Sequence, residues 1–183
     1  MRLITTPIKG LIVSETSRMS DHRGAFARLF CEQDLAEVLV GRHIVPINHS
    51  RTSLVGTIRG MHYQNAPQAE MKLVRCLKGK VWDVAVDLRK ESQSFLQWHA
   101  VELSEENGKM MLIPEGCAHG FQVLEPESEL LYLHTAAYSP TTEGGVRYDD
   151  PKLAIVWPMA VTDLSDRDKA HPLIKDEFCG VEL

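Results

Sequence analysis

From Lys72 to His134 the chain is a train of short β-rich runs cut by turn residues. Lys72–Leu77 and Lys80–Leu88 are separated only by Lys78-Gly79, which reads as strand, tight turn, strand. Trp98–Leu103 follows, then the polar turn Ser104–Lys109 and the run Met110–Ile113. Gly120–Leu124 and Glu129–His134 flank the turn Glu125–Ser128. Strands this short and this closely spaced predict an all-β sandwich or barrel, because each sheet must bury its apolar face against another. Two stretches depart from the pattern. Glu32–Val40 places Leu35, Val38 and Leu39 at helical spacing and predicts a helix. Ser165–Lys169 is polar and predicts a turn or short helix capped by Ser165.

The 183 residues show no internal repeat, linker or low-complexity stretch, so one domain spanning 1–183 is expected. A chain of this length buries roughly 70% of its unfolded surface and needs no disulfide or metal to fold. The four cysteines, at 31, 76, 117 and 179, form no C-x-x-C pair; free thiols in a reducing compartment, the cytoplasm, are expected. No apolar run reaches the length of a membrane span, and the N-terminus has no signal-peptide core. Twenty basic against 25 acidic residues give a net charge of −5, which argues against a nucleic-acid partner. It leaves room for one small phosphorylated ligand held by a few arginines.

Pro114-Glu-Gly116-Cys-Ala-His119-Gly120-Phe121 fits Pro-x-Gly-x-x-His, the second half of the cupin signature. The first half would supply His-x-His and a Glu as metal ligands. Here the matching stretch is Gly60-Met-His62-Tyr-Gln64, with Gln64 in place of the second His. A catalytic metal commonly takes three protein ligands, so the barrel signal stands while the metal signal does not. No P-loop, dinucleotide fingerprint or G-x-S-x-G motif occurs, and no cofactor is expected.

His62 is the first candidate for chemistry, although a lone histidine is most often satisfied locally. Arg59 precedes it by three residues and Lys72 follows by ten; a hairpin centred on Pro67 would set His62 and Lys72 opposite each other. A neutral base beside a cation can remove a proton and steady the oxyanion that forms. A turn at Glu125–Ser128 would likewise pair 121 with 132 and put His119 and Tyr132 on one face. Tyr132, set among Leu130, Leu131 and Leu133, is a candidate general acid or else a core tyrosine with one hydrogen bond. Asp168 in Asp163-Leu-Ser-Asp-Arg-Asp168 is a solvated charge unless the tail folds back to orient His62. Arg23 and Arg59 suit phosphate oxygens, and Phe26 suits a base.

Taken together, these segments resemble the dTDP-4-dehydrorhamnose 3,5-epimerase family. The resemblance rests on Asp21-x-Arg-Gly24, Arg59–Gln64, Lys72–Arg75, Val84–Arg89, Pro114–Phe121, Leu131-Tyr132, Tyr138-x-Pro140, Asp150-Pro151, Trp157-Pro158 and Leu164-Ser-x-x-Asp168. It covers nearly the whole chain in order. It implies a mainly β, double-stranded β-helix of cupin type with short helices at the ends, metal-free and homodimeric. It also implies epimerisation of a nucleoside-diphosphate 4-keto-6-deoxyhexose at C3 and C5. His62 would remove the proton, Asp168 orient it, Tyr132 protonate the opposite face and Lys72 steady the enolate. Arg23, Phe26, Asn48, Arg59, His119, Tyr138, Glu143 and Arg167 would bind the nucleotide sugar. Arg28 stands where the family has a Glu expected to touch thymine, so the base is left open. The alternatives are a 3- or 5-only epimerase, a metal-dependent cupin isomerase or dioxygenase bound through His62 and His119, and a non-catalytic sugar-nucleotide binding module.

Overall fold

The computed structural model describes residues 1–183. In chain order the elements are β1 (Arg2–Thr5), β2 (Ile12–Glu15), β3 (Arg18–Asp21), β4 (Gly24–Ala27), α1 (Ala36–Leu39), β5 (Ile47–Thr52), β6 (Ile58–Gln64) and β7 (Lys72–Lys78). They continue with β8 (Lys80–Asp87), β9 (Trp98–Ser104), β10 (Lys109–Ile113), β11 (Cys117–Val123), β12 (Ser128–His134), β13 (Glu143–Gly145) and α2 (Asp166–Lys169). A six-stranded sheet runs β1-β2-β10-β7-β12-β5, a five-stranded sheet runs β13-β6-β11-β8-β9, and β3-β4 form a separate ribbon. From β9 onward the chain alternates between the two large sheets at every strand. This is the double-stranded β-helix of the cupin type. No helix is long and apolar enough to cross a membrane.

Period-two alternation decides what each strand buries. Val74 and Cys76 of β7, Val81 and Ala85 of β8, Phe121 and Val123 of β11 and Leu130 of β12 meet in one core between the sheets. Their neighbours Leu73 and Leu133 point the other way, onto Leu35 and Leu39 around α1. Val84, Val86 and Ala118 pack outward against Leu153, Ile174 and Val181 of the C-terminal segment. Each such buried aliphatic side chain contributes roughly 2 kcal/mol by leaving water. Both faces of the central strands are therefore covered, while the edge strands β1 and β5 stay largely exposed, and inward polar residues stand out as exceptions.

The predicted hairpins are corrected by this topology. β6 and β7, β7 and β8, and β11 and β12 each lie in different sheets, so none of the three pairs forms a hairpin. Lys78-Gly79 is a corner at which the chain crosses from one sheet to the other. The predicted helix Glu32–Val40 is reduced to Ala36–Leu39 and ends at Val40 in the left-handed region (φ 50°). The Ser165 cap is present: its hydroxyl accepts a hydrogen bond from the Asp168 N–H at 3.1 Å.

Asp87, at the end of β8, anchors the loop that follows. Its buried carboxylate accepts hydrogen bonds from the Arg89 backbone N–H and guanidinium, and from the hydroxyls of Ser92 and Ser94 at 2.6 Å each. Burial alone would raise its pKa, but these donors outweigh it and hold the group at about 2, against 3.8 ordinarily. A depressed carboxylate pKa contributes stability above the unfolded value that is lost as pH falls through the folded one. Asp87→Asn is expected to cost about 2 kcal/mol at neutral pH. The gap to the parent protein should close between pH 4 and 2, as checked by urea unfolding across that range.

Candidate active site

A cavity of about 790 Å³ opens between the sheets. It is lined by Asn48 and Ser50 from β5, Arg59 and His62 from β6, Lys72 from β7, His119 from β11, Tyr132 and His134 from β12, and Glu143 from β13. Tyr138, Arg167 and Asp168 complete the rim. A hollow of about 970 Å³ near the C-terminus, lined by Lys9, Arg89, Lys90 and Glu182, holds no histidine or tyrosine.

His62 sits opposite His119 in the β6–β11 register. β6 and β11 approach closely at that point. Gly60 has φ +128°, and a Cβ on it would stand 2.5 Å from Gly120 Cα, so only glycine fits. The same crossing exposes the Gly60 N–H to Asp168, which accepts it at 3.1 Å on Oδ2. Asp168 Oδ1 accepts from His62 Nε2 at 2.7 Å. Asp168, read alone as a surface charge, is only 4% exposed. Burial pushes its carboxyl up, but the hydrogen bonds from His62 and Gly60 prevail and hold it below the usual range. An ionised carboxylate only accepts, so His62 carries its proton on Nε2 and keeps the Nδ1 lone pair free. Such an imidazole is oriented to take a proton.

Tyr132 arrives from the opposite sheet. Its hydroxyl bonds Ser50 Oγ at 3.0 Å, and its ring meets His119 edge-on at 6.3 Å and stacks on His134 at 6.0 Å. Burial pushes the phenol up to about 12, so it keeps its proton through the neutral range. Lys72 Nζ lies 3.3 Å from the His62 carbonyl and 3.2 Å from Glu70. Glu70 also accepts from His134 Nδ1 at 2.7 Å. Burial works against its ionised form, but His134 and Lys72 outweigh that and lower its pKa. His119 Nε2 contacts Asp83 Oδ1 at 2.8 Å, and complete burial raises that carboxyl.

The rim is polar. Glu143 accepts from Arg167 Nη2 at 2.6 Å and from the Tyr138 hydroxyl at 3.0 Å. Arg59 projects from β6 with a single side-chain bond, to Thr52 at 3.4 Å. Gln64, at the lost cupin ligand position, spends its amide on the Ser139 N–H and on the carbonyls of Gln68 and Ala137. It ties down the loop instead of facing the cavity.

Two expected binding residues are not brought to this cavity within one chain. Arg23 and Phe26 lie on the exposed β3–β4 ribbon, Arg23 paired with Asp21 at 2.6 Å and Phe26 65% exposed. The ribbon belongs to neither large sheet, so nothing in its own chain carries it to the cavity. Sequence reasoning missed Ser50, Glu70, Asp83, His134 and His171. Asp83, His119 and Tyr132 all fall on inward phases of their strands, and that alternation was the available signal for Asp83 and His134. Glu70 and Ser50 carried none.

A carboxylate-held imidazole and a buried phenol, carried by opposite sheets around one polar cavity, are groups that a cupin-type isomerase can use to move protons. The dTDP-4-dehydrorhamnose 3,5-epimerase family model matches residues 5–176. The enzyme of that name from Salmonella typhimurium is 43% identical over 177 residues, covering 95% of this chain and 96% of its own. A crystal structure of dTDP-6-deoxy-D-glucose-3,5-epimerase from Legionella pneumophila, in complex with dTDP-4-keto-L-rhamnose, superposes with a TM-score of 0.91. It is 39% identical and covers 100% of this chain and 98% of its own. A 3′-monoepimerase from Streptomyces bikiniensis in complex with dTDP-quinovose is 30% identical, with a TM-score of 0.85 over 92% of this chain and 85% of its own. The chain belongs to the dTDP-4-dehydrorhamnose 3,5-epimerase family.

Proposed function

We propose that this protein inverts C3 and C5 of a dTDP-4-keto-6-deoxyhexose, converting a dTDP-4-dehydro-6-deoxyglucose to the dehydrorhamnose configuration. The observation that carries the reading is the carboxylate-oriented His62 facing the cavity from one sheet while Tyr132 faces it from the other. A 4-ketone acidifies the C–H bonds on both sides of it. His62 Nδ1 takes the proton, Asp168 holds the resulting imidazolium, and Lys72 steadies the enolate oxygen. Each donor to that oxygen contributes roughly 3 kcal/mol to the transition state. Tyr132 then gives a proton to the opposite face, and the centre is inverted. Nothing is oxidised or reduced in this sequence, so no cofactor is required by the chemistry.

Arg59, His119, Asn48, Tyr138, Glu143 and Arg167 hold the sugar and diphosphate in this reading. Arg23 and Phe26 serve the cavity of a second copy in a homodimer. Met19 and Phe26, paired across the ribbon and 68% and 65% exposed, give a partner apolar surface to cover. The chain acts as one domain in the cytoplasm, in keeping with its four free cysteines. The test is incubation in deuterated solvent with dTDP-, UDP- and CDP-4-keto-6-deoxyglucose, read by NMR. Deuterium at both C3 and C5, fastest with the dTDP sugar, is expected. Label at C3 alone identifies a monoepimerase, and tight binding without exchange at any pH identifies a binding module.

A further inference from the structure

His171 is the one group against the His62–Asp168 dyad that the proton-transfer scheme does not use. It follows Asp168 by three residues, just past the end of α2. Its ring meets the His62 ring edge-on at 5.4 Å, and its Nε2 lies 3.8 Å from Asp168 Oδ1. That nitrogen is buried and has no hydrogen-bond partner. The ring lies directly over Gly145, where any Cβ would overlap it, so β13 leaves space for an imidazole at this point. One ring nitrogen of His62, one carboxylate oxygen of Asp168 and one ring nitrogen of His171 all lie within 4.8 Å of one another.

We propose that His62, Asp168 and His171 form a zinc site whose occupation shuts the enzyme off. The proposal rests on His62 being the base, as argued above. Two imidazole nitrogens and a carboxylate oxygen are a ligand set that Zn²⁺ takes, at about 2.0–2.2 Å with tetrahedral geometry. Water supplies the fourth ligand. His62 is 27% exposed, which gives the ion a way in. Binding at His62 Nε2 displaces the proton that nitrogen shares with Asp168. A metal-bound neutral imidazole carries its remaining proton on the other nitrogen. Nδ1, the lone pair facing the substrate, is then occupied, and the base is lost without any movement of the backbone. Asp168 is drawn from its orienting role into the same coordination shell.

The test compares chelator-treated parent protein with His171→Gln and His171→Asn; the smaller Asn guards against a packing defect over Gly145. Zinc binding is measured by equilibrium dialysis with metal analysis in the absence of substrate, and Co²⁺ absorption reports tetrahedral coordination. Turnover with graded zinc is expressed relative to each protein's own zinc-free rate. The parent should bind one equivalent and lose at least nine-tenths of its turnover, restored by chelator. Both variants should bind roughly 10- to 100-fold more weakly, with the inhibition midpoint displaced by the same factor. The variants keep His43 with Glu32, His49 with Glu129, and Cys179, so zinc held at those exposed groups would affect all three proteins equally. Equal inhibition in parent and variants, or no cobalt spectrum in the parent, overturns the proposal. Absence of turnover in the zinc-free parent counts against the epimerase reading alone, since dialysis and the cobalt spectrum report the site without substrate.

Discussion

His62→Asn is expected to lower proton exchange at C3 and C5 by roughly 10²–10⁴-fold, the usual worth of a positioned general base. The amide fills part of the imidazole's space but has no basic nitrogen. Its N–H can still be offered to Asp168, whose other oxygen keeps the Gly60 N–H. The buried carboxylate is therefore not left wholly unpartnered, and the loss of stability should stay within about 1–3 kcal/mol. The measurement is NMR of solvent deuterium entering the sugar, alongside a thermal melt. Exchange at the parental rate in a folded variant would remove His62 from the base role.

Tyr132→Phe separates the two faces of the reaction. The ring continues to pack near Leu130 and His119, and only the hydroxyl and its bond to Ser50 go. His62 still removes and returns a proton on its own side, so deuterium continues to wash into the substrate. Inverted product should fall by roughly 10²–10⁴-fold, because no donor stands on the other face. The phenol in the parent titrates near 12, with the protonated form favoured by burial. Inversion by the parent should show no alkaline limb from Tyr132 across the neutral range. Equal loss of exchange and inversion would show that Tyr132 positions the substrate and does not donate the proton.

The hairpin inferences failed for one physical reason. Gly and Pro mark where a strand ends, but they do not say whether the chain reverses within a sheet or turns a corner into the facing one. Lys78-Gly79 and Glu125–Ser128 are corners. His62 and Lys72 do come within reach of each other, and so do His119 and Tyr132, but across the barrel interior instead of along a ladder. Asp168 shows the same limit from another side. Its local sequence is that of a solvated tail, and its role depends on a Gly60 N–H 108 residues away. Glu70, just before β7, carries no signal in the local sequence, and its partners His134 and Lys72 come from two different strands.

Alternation along the strands, the turn residues between them and the order of the motifs were enough to set an all-β barrel of this family and to bring forward His62, Tyr132 and Lys72 as candidates. Those properties are local, or repeat with a period that one strand can carry. Which groups touch was decided only when the two sheets closed on each other. The contacts that hold His62, bury the Tyr132 phenol and place His171 beside the dyad join residues tens to more than a hundred positions apart. Strand pattern cannot specify such pairs, because they depend on which sheet each strand enters and on where glycine lets two backbones meet.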